Sequence, residues 1–201
     1  MFMTARIDKS AIVSEQARIG ESAQIWNFSQ IREGSVIGAS TIVGSHVYID
    51  RGVHVGDNCK IQNGAKIYEP AILGDGVFIG PGVILTNDQY PRAVNSDLNL
   101  KLSTDWIHSG VNVGVGASIG AGSVCIAPVN IGNWALIGAG SVVTKDVLEF
   151  ELVVGNPAKH AGWVGHEGLK LARISDQSFQ CPKSKKIYSL INGELKYGGA
   201  N

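Results

Sequence analysis

The most regular feature of the chain is an aliphatic residue at every sixth position. Starting from Ile7, the steps land on Val13, Ile19, Ile25, Ile31, Ile37, Val43, Ile49, Val55, Ile61, Ile67, Leu73, Ile79 and Leu85. The beat resumes through Ile107, Val113, Ile119, Cys125, Ile131, Ile137 and Val143. Two places before many of these sits a small residue, as at Ala17, Ala23, Ser29, Ser35, Ala65 and Ala71, and glycine often follows, as at Gly20, Gly38, Gly56, Gly120 and Gly138. A helix of 3.6 residues per turn would scatter a six-residue period around its circumference. Six residues instead make one short strand and one tight corner, and three such units close a triangular coil. Successive coils then stack by main-chain hydrogen bonds about 4.8 Å apart. The pattern therefore predicts an all-β protein, a parallel β-helix of six-residue repeats over 1–148. The glycines are expected to relieve the backbone at the corners. Residues 149–201 read as a C-terminal extension of a short connecting segment and a β-hairpin, with Asn192-Gly193 as its two-residue turn.

Residues 86–106 (TNDQYPRAVNSDLNLKLSTDW) break the beat. Insertions longer than about 12–15 residues inside a compact domain usually carry function. Since three units span eighteen residues, residues eighteen apart stack along one edge, as do Ile49, Ile67 and Leu85. Two places after each come Arg51, Glu69 and Asn87, a polar ladder beside the loop. If the loop replaces part of a single repeat, Ile119 and Ile137 continue this edge, and Ala121 and Ala139 extend the ladder. That places a carboxylate and a carboxamide in line with small residues whose backbone is accessible.

Composition narrows the function classes. The 17 basic and 17 acidic side chains cancel, and no basic stripe suited to nucleic acid is present. No apolar run reaches the roughly 18–20 residues that span a bilayer, so no membrane partner is expected. The first ten residues are too polar for a secretory signal, which makes the cytoplasm the expected compartment. Three cysteines do not make a disulfide framework. Cys59 and Cys125 fall on inward-facing beats and are expected in the core.

The strings CKIQNGAKIYEPAILGDGVFIGPGVILTNDQYPRA, GASIGAGS, IGNWALIGAGSVVTKDV and VVGNPAKHAGWV cover much of the chain. With the six-residue beat, they resemble the hexapeptide-repeat acyltransferases, and among these the nucleotide-sugar N-acetyltransferases. The resemblance implies a left-handed coil, acetyl-CoA as cosubstrate, a homotrimer with sites between subunits, and a nucleotide-linked amino sugar as acceptor. It implies catalytic roles for Asn87, Asp88 and Glu69, and substrate contacts at Tyr90, Arg92 and Asn63. It places Ala121, Ala139, Lys145 and Lys159 near the cofactor. The end of the chain, with Gly162-Trp163-Val164 and Cys181-Pro182, is similar to relatives acting on UDP-3-amino-uronates for surface polysaccharide. A dTDP-3-amino-3,6-dideoxyhexose is the alternative acceptor. Some such relatives carry four cysteines here, in the manner of a zinc ribbon. This chain keeps Cys181 alone, with Gly165, Glu167 and Ser184 in the same segments, so no metal is expected.

Two rival readings exist. Zinc-dependent hexapeptide proteins pair histidines five apart, a spacing absent among His46, His54, His108, His160 and His166. His108, just after the loop, is the one candidate for a histidine base. A non-catalytic scaffold would differ from an enzyme by failing to bind acetyl-CoA.

Overall fold

The computed structural model describes residues 4–198. Three parallel sheets form the sides of a prism. The first stacks Arg6–Ile7, Gln24–Ile25, Ile42–Val43, Lys60–Ile61, Phe78–Ile79, Ser118–Ile119, Leu136–Ile137 and Glu151–Val154, then adds Lys159–Trp163 antiparallel. The second runs from Ile12–Val13 to Val142–Val143, and the third from Arg18–Ile19 to Val129–Ile131. Parallel pairing thus continues past residue 148, since Ile137 pairs with Val153.

Each unit buries two side chains. The beat residues from Ile25 onward are nearly all buried, as are the small residues two places before them, including Ala23, Ala65, Ala71 and Ala117. Where the small residue is a hydroxyl, its burial is offset by a bond to the next coil: Ser29 Oγ donates to the Gly44 carbonyl at 2.6 Å, and Thr41 Oγ1 to the Gly56 carbonyl at 2.8 Å. Cys59 and Cys125 lie in this core. Burial pushes the Cys125 thiol up to about 12 and raises Cys59 as well, so neither is a poised nucleophile.

The glycines divide into two classes, which corrects the expected role of those after the beat. Gly20, Gly38, Gly56, Gly120 and Gly138 do not sit in the left-handed region; a Cβ there would strike the next coil, at 2.4 Å from Ala139 N in the case of Gly120. The left-handed corner falls two residues later. Glycine takes it at Gly34, Gly52, Gly64, Gly82 and Gly122, while Ser22, Phe28, Ser40, His46, Asn58 and Trp134 adopt it as side-chain-bearing residues.

The beat does not resume at Ile107, which is 87% exposed. Leu73 pairs with Val113, forty residues on rather than eighteen, so twenty-two residues are inserted between the second and third sheets. The insertion extends to Gly110 and has structure of its own. Val94 bridges Leu100, Asn95 Oδ1 accepts from the Asp97 and Asn99 amides, and Ser103–Asp105 form a 3-10 turn.

The C-terminal end is more than a hairpin. Ala172–Arg173, Ser178–Gln180, Ile187–Ile191 and Glu194–Lys196 form a four-stranded antiparallel sheet, with Asn192 and Gly193 both at positive φ in the turn read from sequence. Its own core contains Phe150, Trp163, Leu171, Cys181, Tyr188 and Leu195. A Cβ on Gly165 would come within 2.8 Å of Tyr188 Oη. That hydroxyl accepts from the His166 amide at 3.0 Å and lies 2.8 Å from His166 Nδ1. The tyrosine therefore fills the room beside Gly165. No helix among the described residues is long and apolar enough to cross a membrane.

The two glycine classes predict different costs. Gly122→Ala places a Cβ in open space at φ +68° and should cost about 1–2 kcal/mol. Gly120→Ala sets a Cβ against fixed backbone and should cost more. Thermal melts followed by circular dichroism rank them; a Gly120→Ala variant melting no lower than Gly122→Ala would remove the close-approach explanation.

Candidate active site

The three corners of the prism use their side chains differently. Between the first and second sheets, Asn63 Oδ1 accepts from the Ser45 amide at 3.0 Å. Between the third and first, Asp57, Asp75 and Asn133 accept from the amides of Ala39, Asp57 and Val115 in the coil before. These side chains are spent on joining coils. The corner between the second and third sheets carries Glu33, Arg51, Glu69 and Asn87 at the same repeat position, and none of them makes such a bond. Arg51 Nε instead donates to Glu69 Oε2 at 2.6 Å, which holds the guanidinium above its usual range. A half-exposed pair of this kind adds little stability. Its effect is to fix the position of the Glu69 carboxylate. Among the described residues, nothing engages the Asn87 carboxamide.

The ladder runs differently above Asn87 from what the spacing suggested. Leu85 pairs with Cys125, and Cys125 with Val143. The edge is therefore continued by Ala127 and Lys145, not by Ala121 and Ala139. The latter share the first corner with Asn63, because Ile61, Ile79, Ile119 and Ile137 are in register. The error is one repeat unit and comes from counting Ile107 as a beat. The Ala127 amide, directly above Asn87, is already engaged by Thr86 Oγ1 at 3.0 Å. The Thr86 hydroxyl hydrogen is left as a donor next to Asn87.

The insertion lies over this corner and lines two adjoining cavities that open to solvent. The larger, about 510 Å³, is lined by Arg51, Tyr68, Asn87, Asp88, Arg92 and Lys101 among others. The smaller, about 270 Å³, is lined by Tyr90, Asp105, Trp106, Ile107 and Pro128. Asp88, Lys101 and Trp106 border both. Asp88 Oδ1 accepts from the Tyr90 amide at 2.8 Å, which leaves its second oxygen to face a ligand. His108 lines neither cavity; it stacks on Trp106 with ring centroids 4.3 Å apart.

Higher on the same edge, Lys145 and Lys159 line one further cavity of about 360 Å³, beside a His160–Glu151 pair at 2.9 Å. Of the sequence-derived site residues, Glu69, Asn87, Asp88, Arg92 and Tyr90 meet at the loop, Lys145 and Lys159 meet at the top, and Asn63, Ala121 and Ala139 lie on a different corner. Sequence reasoning missed Thr86, Lys101 and Asp105. Their only signal was membership of the insertion, since they sit off the beat. Among the described residues, no group of three or more His, Cys, Asp or Glu is placed to hold a metal.

Comparison with known proteins bears on this arrangement. A curated relative, dTDP-3-amino-3,6-dideoxy-alpha-D-galactopyranose 3-N-acetyltransferase of Aneurinibacillus thermoaerophilus, is 37% identical over 81 residues, which is 40% of this chain and 42% of the relative. The match thus spans less than half of that enzyme. Among solved structures, a hexapeptide transferase family protein from Anaplasma phagocytophilum superposes with a TM-score of 0.51 at 20% identity, covering 83% of this chain and 82% of the other. A hexapeptide-repeat acetyltransferase from Vibrio cholerae, complexed with acetyl coenzyme A, gives 0.54 at 23% identity over 66% and 72%. At these identities the two structures speak to the fold. Residues 16–51 and 52–87 match the bacterial transferase hexapeptide model, and residues 110–145 match the hexapeptide repeat of succinyl-transferase, together just over half of the chain. The protein therefore belongs to the bacterial transferase hexapeptide family.

Proposed function

We propose that the protein moves an acetyl group from acetyl-CoA to the C3 amino group of a nucleotide-linked amino sugar. One observation carries this reading. Among the described residues, the corner between the second and third sheets is the one whose side chains at this repeat position are not spent between coils, and there the Asn87 carboxamide and the Asp88 carboxylate face a cavity under the insertion. The Aneurinibacillus relative, named for the same class of reaction, supports it. A UDP-3-amino-uronate is the acceptor favoured by the end of the chain; that relative's name favours the dTDP-3-amino-dideoxyhexose. Mass spectrometry of products from a panel of amino nucleotide sugars with acetyl-CoA decides between them, and no acetylated product from any would sink the proposal.

An amine attacks a thioester only when neutral, and the attack builds an oxyanion and expels a thiolate. Asn87 Oδ1 accepts from the amine and aims its lone pair. The free oxygen of Asp88 takes the proton, directly or through water. Glu69, tied to Arg51, orients rather than accepts. The Thr86 hydroxyl is the donor on this edge for the oxyanion. Lys145 and Lys159 lie two coils above Asn87, roughly 10 Å along the axis, where an extended cofactor would bring its phosphates. No histidine is required, because a sugar amine is far more nucleophilic than a hydroxyl.

Asn63, Ala121 and Ala139 reach such a site only from a neighbouring molecule, which fits a homotrimer. The insertion also turns Leu98 and Leu100 outward at 75–81% exposure, an apolar display that calls for a partner surface. Light scattering at micromolar concentration should give three chains; a monomer would discard the assembly.

Steady-state transfer, followed by thiol release, tests the roles. Asn87→Ala and Asp88→Asn should each lower kcat/KM by about 10² or more, and Thr86→Val should lower kcat with little change in KM. Glu69→Gln should cost less, and His108→Ala should be nearly silent. Normal rates in the Asn87 and Asp88 variants with collapse in His108→Ala would move the role to the histidine. On a uronate substrate, Arg92 is the cation for the sugar carboxylate, so Arg92→Ala should weaken a uronate more than a neutral sugar. Equal losses for both would remove that assignment.

A further inference from the structure

The two cavities under the insertion differ in chemistry, and the residues between them are informative. In the larger, Arg51 is neutralised by Glu69 at 2.6 Å, and Arg92 Nη1 donates to the Pro91 carbonyl at 3.0 Å. In the smaller, Asp105 Oδ2 is occupied by the Leu102 amide at 2.7 Å. Lys101 borders both cavities, and among the described residues no carboxylate pairs with it. The smaller cavity is walled by Tyr90, Trp106, Ile107 and Pro128, and is large enough for a single heterocycle. His108 covers one face of Trp106 at an interplanar angle of 29°, which holds the indole as a fixed platform with its other face available.

A mostly apolar chamber with an aromatic wall and a polar rim, a partition that carries Lys101 beside Asp88, and a polar chamber beyond it match, in order, a nucleobase, a diphosphate and a sugar. We infer that the smaller cavity receives the nucleobase of the substrate on Trp106, and that Lys101 holds the diphosphate between base and sugar. This deepens the reading given above and rests on the acceptor being nucleotide-linked. Stacking supplies affinity with little base selectivity, since every base presents a π face. The ammonium makes charge-assisted bonds to phosphate oxygens from a flexible stem. The amine at C3 of the sugar then lies in the larger cavity with Asn87 and Asp88.

The test is calorimetry and tryptophan fluorescence on the full chain, titrated with UDP, dTDP and GDP and with the corresponding nucleosides. At least one diphosphate should bind saturably and quench fluorescence. Lys101→Met should weaken that diphosphate about ten-fold or more while leaving the nucleoside unchanged. Trp106→Ala should weaken both, and Trp106→Phe should keep binding but lose the quench. Should Trp106→Ala fail to fold, the Phe variant and Lys101→Met still report. Absence of binding by all three diphosphates, or a Lys101→Met variant that binds like the parent, would overturn the inference. Binding that depends on Lys101 without acetyl transfer to any amino nucleotide sugar would uphold the inference and refute the reaction. Acetyl transfer with an unchanged KM in Lys101→Met would do the reverse.

Discussion

Everything in this protein depends on the distance between neighbouring coils. Main-chain hydrogen bonds set it: the Gly38 amide reaches the Val55 carbonyl at 2.8 Å, the Gly56 amide the Leu73 carbonyl at 2.9 Å, and the Gly120 amide the Ile137 carbonyl at 2.8 Å. At that separation there is no room for a Cβ just after the inward aliphatic residue. Glycine there is a packing requirement, and the beat that follows from it is a record of contact between coils rather than of turn geometry. The same spacing lets a buried serine or threonine reach the carbonyl of the coil above, so polar residues are tolerated in the core wherever they are short enough.

This spacing also explains why one corner differs from the other two. An aspartate or asparagine at a corner lies within reach of an amide in the coil before it; that bond forms three times at one corner and once, through Asn63, at another. Such ladders lock the stack and consume the side chains' chemistry. At the third corner the residues at that position from Glu33 up to the loop are two glutamates, an arginine and one asparagine that hold no neighbouring amide, and the chain departs there for twenty-two residues before returning to the same sheet register. Side chains available for chemistry and a covering loop therefore coincide at a single place on a surface that is otherwise committed to its own assembly.

How much of this was legible in the sequence follows from the same physics. The beat residues are buried against strict spatial limits, so their period announced the fold, the core and the position of the interruption. Glu69 and Asn87 emerged because eighteen-residue stacking is a consequence of closure. The ladder above them was misread because Ile107 looks like a beat residue but lies exposed in the insertion; one aliphatic side chain at a plausible spacing shifted the register by a unit. Thr86, Lys101 and Asp105 could not be singled out, since residues off the beat obey no repeat. The first two strands of the terminal sheet and the Tyr188 core were hidden for a similar reason: they depend on contacts such as Gly165 against Tyr188, which leave no periodic trace.

The return of the chain to register after the insertion has a consequence for how such a molecule changes over time. Leu73 and Val113 pair as adjacent coils whether the path between them is long or short, and the entropic cost of a longer path rises only as the logarithm of its length. The scaffold is thus indifferent to what the excursion contains. Selection can exchange the excursion wholesale, or rewrite it residue by residue, without repaying anything to the stack, and the stack can drift toward greater rigidity without disturbing recognition. Ancestry in a protein built this way is written in the coils, and novelty enters through the break.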